Sequence, residues 1–152
     1  MAIEKSICIE FVDGLNTNSR RGLAWLIVTP SDKHINAKKT FEGLKDRVKN
    51  DVRNRFDAWL SGLIHDKYYH GWNEVGYTDC FVFKYKKNGQ HQRLYGFLCH
   101  PRINDNRFLL CVLASHTTKN EHEADKSEKD RMNKLKGDEN VKQALEDIKK
   151  NV

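Results

Sequence analysis

The chain has 152 residues, 38% of them apolar and 32% charged, with two prolines and a formal net charge of +6. That is the size and composition of one soluble globular domain, and it excludes a disordered or fibrous chain. No apolar run approaches the ~18 residues a membrane helix needs, and the opening MAIEKSICIEF lacks the charged, apolar and small-residue order of a secretory signal, so a single cytoplasmic domain over 1–152, away from membranes, is expected.

In chain order, SICIEFV alternates Ile7, Ile9 and Phe11 on one face, which predicts a strand. LAWLIVT, residues 23–29, is apolar throughout and reads as a strand covered on both faces. The Gly-, Asn- and Ser-rich segment between them suits a long hairpin loop. Residues 1–35 are thus expected to be an N-terminal strand extension. From Asn36 to Ile64 the apolar residues Phe41, Leu44, Val48, Val52, Phe56, Trp59, Leu60 and Leu63 recur every three or four positions. They predict an amphipathic helix, or two in series broken near one end.

CFVFKYK alternates again, Asn88-Gly89 is the strongest hairpin signal in the chain, and QRLYGFLC returns. NDNR makes a further turn into FLLCVLAS, a fully apolar run expected to be a central strand. Residues 116–152 read as a charged helical tail. Its stripe is Ala124, Met132 and Leu135, Gly137 is a stop, and Asp138 caps a last helix with Val141, Ala144, Leu145 and Ile148 inside. The class is α+β: an antiparallel sheet of about four to five strands packed against an amphipathic helix, with a C-terminal helical segment.

Residues 116–152 hold nine Lys or Arg and nine Asp or Glu, so the whole basic excess lies before them. No acid occurs between Asp79 and Asp105, a stretch that carries Lys84, Lys86, Lys87, Arg93 and Arg102 with His91. A patch of one sign attracts polyanions or an acidic protein, although it also occurs as a solvated face without function. Period two puts Val82, Lys84 and Lys86 on one face and Arg93, Tyr95 and Phe97 on one face of the returning strand. Lys84 and Arg93 share a side only if the register allows it.

A basic strand, a turn, QRLYGFL, the apolar FLLCVLAS and then HTTKNEHEADKSEKDRM together resemble the RelE/ParE/HigB toxin superfamily. The likeness is greatest to the phage-associated HigB-type branch, in which "yRilyf" precedes an apolar strand and a "hxfxKK" junction. It covers about residues 72 to 135. It implies a toxin of a type II toxin–antitoxin pair, silenced by a cognate antitoxin, that cuts messenger RNA on the ribosome without a metal or cofactor. Such cleavage asks for groups that move protons and neutralise charge on a phosphate. By position, Arg93 matches the phosphate-clamping arginine, and His116 and Lys119 match the catalytic junction. Lys84 substitutes for an arginine that other members carry where Val82 stands here. Lys86, Lys87, His91 and Arg102 are then expected to bind RNA. The paired lysines of the motif are Thr118 and Lys119 here, and no Tyr follows Tyr95.

A binding protein on the same fold, such as a ParE-like gyrase inhibitor or a non-catalytic nucleic-acid binder, is the alternative. HDKYYHGW either stacks bases or, more commonly for such a cluster, seals a helix end against the sheet. The histidines of HTTKNEHE lack the spacing of a helical metal pair, and Cys8, Cys80, Cys99 and Cys111 show no CxxC spacing. The cysteines read as buried free thiols. No Gly-rich phosphate loop or GxSxG motif is present, which excludes nucleotide-dependent and acyl-transfer chemistry of those kinds.

Overall fold

The structure, a computed structural model, describes residues 6–16, 20–30, 32–103, 106–118 and 123–148. Side chains of 102–103, 106–107 and 123–125 lie outside that description. Strands β1 (Ser6–Phe11) and β2 (Arg21–Thr29) pair antiparallel, as the alternating and apolar runs suggest. Helices α1 (Ala37–Glu42) and α2 (Asp46–Leu60) follow. Then come β3 (Tyr69–Gly71), β4 (Cys80–Lys87), β5 (Gln90–Cys99), the short pair β6 (Arg102–Ile103) and β7 (Asn106–Arg107), and β8 (Leu109–Thr118). Helices α3 (Glu123–Gly137) and α4 (Glu139–Ile148) end the fold.

Six strands form one sheet in the order β1-β2-β8-β5-β4-β3. The strand count exceeds the four to five expected because Tyr69–Gly71 adds a short edge strand to β4. The sheet is also mixed, since β2 runs parallel to β8. A parallel neighbour needs a long crossover, and everything between α1 and β7 supplies it. The N-terminal segment is therefore no appendage. β2 lies inside the sheet, with Leu23 and Trp25 packed on one face and Ala24 and Leu26 on the other, which is why the run from Leu23 to Val28 is apolar.

The two faces carry separate cores. α1 and α2 cover one, where Trp25, Phe41, Phe56, Trp59 and Phe83 interlock with ring centroids 4.9 to 6.2 Å apart. Val52, Phe56, Trp59 and Leu60 are the buried stripe of α2, and Gly62, at φ 89°, ends it. The predicted helix therefore stops four residues early, leaving Leu63 and Ile64 exposed. α3 and α4 cover the other face through Met132, Val141, Ala144 and Ile148. Asp138 caps α4 as expected, its Oδ1 accepting from the N–H groups of Asn140 at 2.8 Å and Val141 at 3.2 Å. The tail begins later than the sequence suggests, because β8 keeps pairing with β5 through Thr118.

α3 also buries polar side chains. Glu128 accepts from Ser115 Oγ at 2.5 Å and pairs with Arg131. Lys129 reaches Glu74 at 2.7 Å and lies over the rings of Trp72 and Tyr77. Among the described residues no helix is long and apolar enough to cross a membrane.

Candidate nucleic-acid interface

The β4–β5 turn decides which basic side chains meet. Asn88 and Gly89 have φ of 51° and 77°, the two positive values a tight type I′ turn requires and the two residue types that reach them at least cost. The resulting register sets Lys84 opposite Arg93 and Lys86 opposite His91. The Lys84 N–H donates away from β5, to the Tyr68 carbonyl at 2.7 Å. Lys84 and Arg93 thus form a non-hydrogen-bonded pair, the kind whose side chains stand closest. Val82 and Tyr95, two residues earlier and later, belong to the core beneath α3 and α4, so all four basic groups leave the sheet on that side. Arg93 is only 7% exposed and Lys84 is half-buried, while Lys86 and His91 are exposed.

His116 is not with them. Arg93 stands opposite Thr117, and His116 stands opposite Leu94, on the α1–α2 side. There its Nε2 lies 2.7 Å from Gln92 Oε1, which also accepts from Thr118 Oγ1 at 3.1 Å, and its ring is 6.4 Å from that of Tyr85. Burial first, and the charge of Lys87 second, lower its pKa, against a raising effect of Glu128. Lys87 shares this side with Gln90, so it too stands apart from Arg93.

A bulge separates the two groups. Gly96 pairs with Leu113 but Tyr95 pairs with Ser115, which leaves Ala114 as an extra residue on β8. Had the strand run straight, Arg93 would have faced His116. The bulge turns everything after Ala114 over, as one added residue must in a period-two structure. Gly96 permits the close approach: a Cβ there would lie 2.5 Å from the Val112 carbonyl oxygen. Of the other sequence-predicted residues, Lys119 lies outside the described residues, and Arg102 sits in β6 with its side chain outside the description.

A cleft of about 770 Å³ is lined by Lys84, Tyr85, Lys86, His91, Gln92 and Arg93 of the hairpin together with Asp51, Arg55, Asp66, Lys67 and Tyr68, from α2 and the loop after it. Tyr85 packs on the α1–α2 side of the sheet, away from the side on which the four basic groups leave it. Tyr85 is 3% exposed and its hydroxyl has no hydrogen-bond partner among the described residues. Burial raises its pKa to about 12, so it remains a donor. Tyr68 is exposed, with the Arg55 guanidinium 4.3 Å from its ring centre and the His65 ring 4.2 Å away.

Sequence reasoning missed Arg55, Tyr68 and Tyr85. Arg55 gave no signal beyond lying on the polar side of α2. The aromatic cluster HDKYYHGW did signal, but it divides. Tyr69 is buried against Phe81 and Phe83, its hydroxyl donating to the Leu63 carbonyl at 2.6 Å, and does the sealing. Tyr68 and His65 are exposed and stack. Among the described residues no group of His, Cys, Asp or Glu could hold a metal ion. No protein-family profile matches the chain, and neither a curated protein nor a solved structure matches it.

Proposed function

We propose that this chain is a toxin of the RelE/ParE/HigB kind that acts on messenger RNA at the ribosome without a metal, its RNA phosphate held by Arg93 and Lys84. The observation that carries the reading is the register of the hairpin. It sets Arg93 beside Lys84, with Lys86 and His91 the next pair on the same side of the sheet, and all four line one cleft. Two adjacent cations neutralise a phosphate more strongly than either alone, and the planar guanidinium adds a bidentate grip. The hairpin followed by an apolar strand and a charged helix, β4, β5, β8 and α3, also agrees with the part of the chain that carries the resemblance. In this arrangement His91 lies on the side of Arg93 and on the same strand, His70 shares that side from β3, and His116 does not, so His91 becomes the candidate for moving a proton.

The test is to induce the chain in cells and map RNA 5′ ends. New ends within translated regions, lost with Arg93→Ala, support the reading, whereas unchanged ends beside growth arrest overturn the nuclease. An acidic antitoxin segment is the expected silencing partner, and its complex with the chain should weaken as salt rises. One observation favours a second reading. His116 faces away from Arg93, so the phosphate clamp lacks the junction histidine that cleavage was expected to use. A non-catalytic binder on the same basic side, or a gyrase inhibitor, needs charge without a titrating group. Growth arrest that survives His91→Ala and His116→Ala, but not Arg93→Ala, would select it.

A further inference from the structure

The four large apolar side chains left exposed among the described residues, Leu63, Ile64, Tyr68 and Val75, all fall within 63–75, the stretch that carries the edge strand β3. Scattered exposed apolar residues need no explanation, but their concentration at one place marks a surface that meets another molecule. Val75, 94% exposed, is held out by its neighbours. Glu74 pairs with Lys129, and the Gly76 carbonyl accepts from Asn133 Nδ2 at 2.7 Å. The backbone is open as well. Because the Lys84 N–H donates to the Tyr68 carbonyl, Tyr68 and His70 turn their peptide groups to β4, and those of Tyr69 and Gly71 point off the sheet. The Tyr69 N–H donates to the His65 carbonyl at 3.1 Å, and the Gly71 carbonyl oxygen lies 2.7 Å from His70 Nδ1. That leaves the Tyr69 carbonyl and the Gly71 N–H aimed past the edge.

A groove of about 740 Å³ runs along this edge, with residues 69–73 and 62–66 among its lining. An unbroken run of strand residues lines one space only from the strand's edge, since its side chains alternate between the two faces. We infer that this groove receives an extended segment of an acidic partner protein, which adds a further strand to the sheet beside β3. The guest's backbone would pair with Tyr69 and Gly71, and its apolar side chains would cover Leu63 and Ile64. Charge selects an acidic guest over a second copy of the chain. Among the described lining residues Arg21 and Lys84 stand against one acid, Asp66, while Glu74 and Asp79 in the following loop already pair with Lys129 and Lys136. A second copy, with its net charge of +6, would bring the same basic excess to this place. The docking surface is read from this edge alone; that its guest is the partner that silences the chain rests on the toxin reading above.

The experiment titrates the full chain with a labelled synthetic peptide that alternates valine and glutamate, following anisotropy and amide hydrogen exchange. One control peptide carries lysine for every glutamate, and another is N-methylated at every residue and cannot pair as a strand. The acidic peptide should bind, and at about ten times its Kd it should slow exchange of the Gly71 amide roughly ten-fold. Neither control should do so. Ile64→Ser alters a side chain that is 88% exposed, so the fold is spared, and it should weaken the acidic peptide roughly ten-fold. Gly71→Pro removes the amide itself at an edge position, where proline is tolerated, and should weaken it too. Absence of binding, equal binding of the lysine peptide, or unchanged binding in folded Ile64→Ser and Gly71→Pro overturns the proposal. Slower Gly71 exchange as the concentration of the chain alone rises assigns the edge to a second copy and overturns it as well. If the acidic peptide binds as expected while induction of the chain leaves growth and RNA unchanged, the docking surface stands and the toxin reading falls.

Discussion

Arg93 and His116 lie on adjacent strands one step apart in register and point to opposite sides of the sheet, Arg93 facing Thr117 and His116 facing Leu94. A phosphate held by Arg93 is therefore separated from the His116 imidazole by the sheet itself. Among the described histidines, His91, opposite Lys86, and His70, opposite Val82, share the arginine's side, and His91 lies on the same strand.

If RNA is cleaved in this cleft, His91→Ala should slow cleavage by roughly 10² or more, whereas His116→Ala should leave the rate near that of the wild type. Primer extension on a translated messenger after induction measures both. The opposite ranking, with His116 essential and His91 dispensable, would overturn the assignment of proton transfer to the Arg93 side of the sheet.

His116 should also mark stability against pH. Its lowered pKa means the folded protein favours the neutral ring, while the unfolded chain takes up a proton near the ordinary value of about 6.5. Above that pH both states are neutral and the group contributes nothing. As pH falls through about 6.5 the unfolded state is protonated first, and stability drops. His116→Gln should flatten this part of the thermal-melting profile. Parallel profiles for the two proteins would show that the imidazole titrates alike in both states.

Gly96→Ala should destabilise the fold by roughly 1–3 kcal/mol, the usual cost of forcing an extra group into a filled core. The added methyl would press on the Val112 backbone, which cannot swing aside as a side chain can. Urea unfolding gives the value directly. A neutral result would indicate that the β5–β8 ladder opens at the bulge without penalty.

Thiol chemistry should separate the four cysteines. Cys80, Cys99 and Cys111 are buried and Cys8 is exposed. Burial raises the Cys80 thiol to about 11 and lifts Cys111 well above its ordinary value. A thiol reagent should modify one site quickly in the native protein and the other three only on unfolding. Cys8→Ser should abolish the fast phase.

The elements were legible where local chemistry alone decides them. The apolar run of β2, the stripe of α2, Asn88-Gly89 and the Asp138 cap each carry their own signal and form as the sequence predicts. The pairing of Lys84 with Arg93 needed only the turn type added to the alternation. What was not legible depends on distant partners. Ala114 looks like any other small core residue, and nothing near it in sequence announces that Tyr95 will pass it over for Ser115. The buried Glu128 and Lys129 read as ordinary charges of a solvated helix until Ser115 and Glu74 are brought to them. Tyr68 and Tyr69 are adjacent and identical in type, and only the edge of β4 separates their roles.

The bulge at Ala114 gives this sheet a parity that its cores do not feel. Leu110, Val112 and Ala114 are already committed to the α3–α4 side before the extra residue is absorbed, so the packing of both layers is settled upstream of it. Only the last four residues of β8 change sides. One residue of strand length thus exchanges a histidine for a threonine opposite Arg93 with the hydrophobic framework untouched, and which side chains meet at the open end of the sheet is set by counting as much as by residue type.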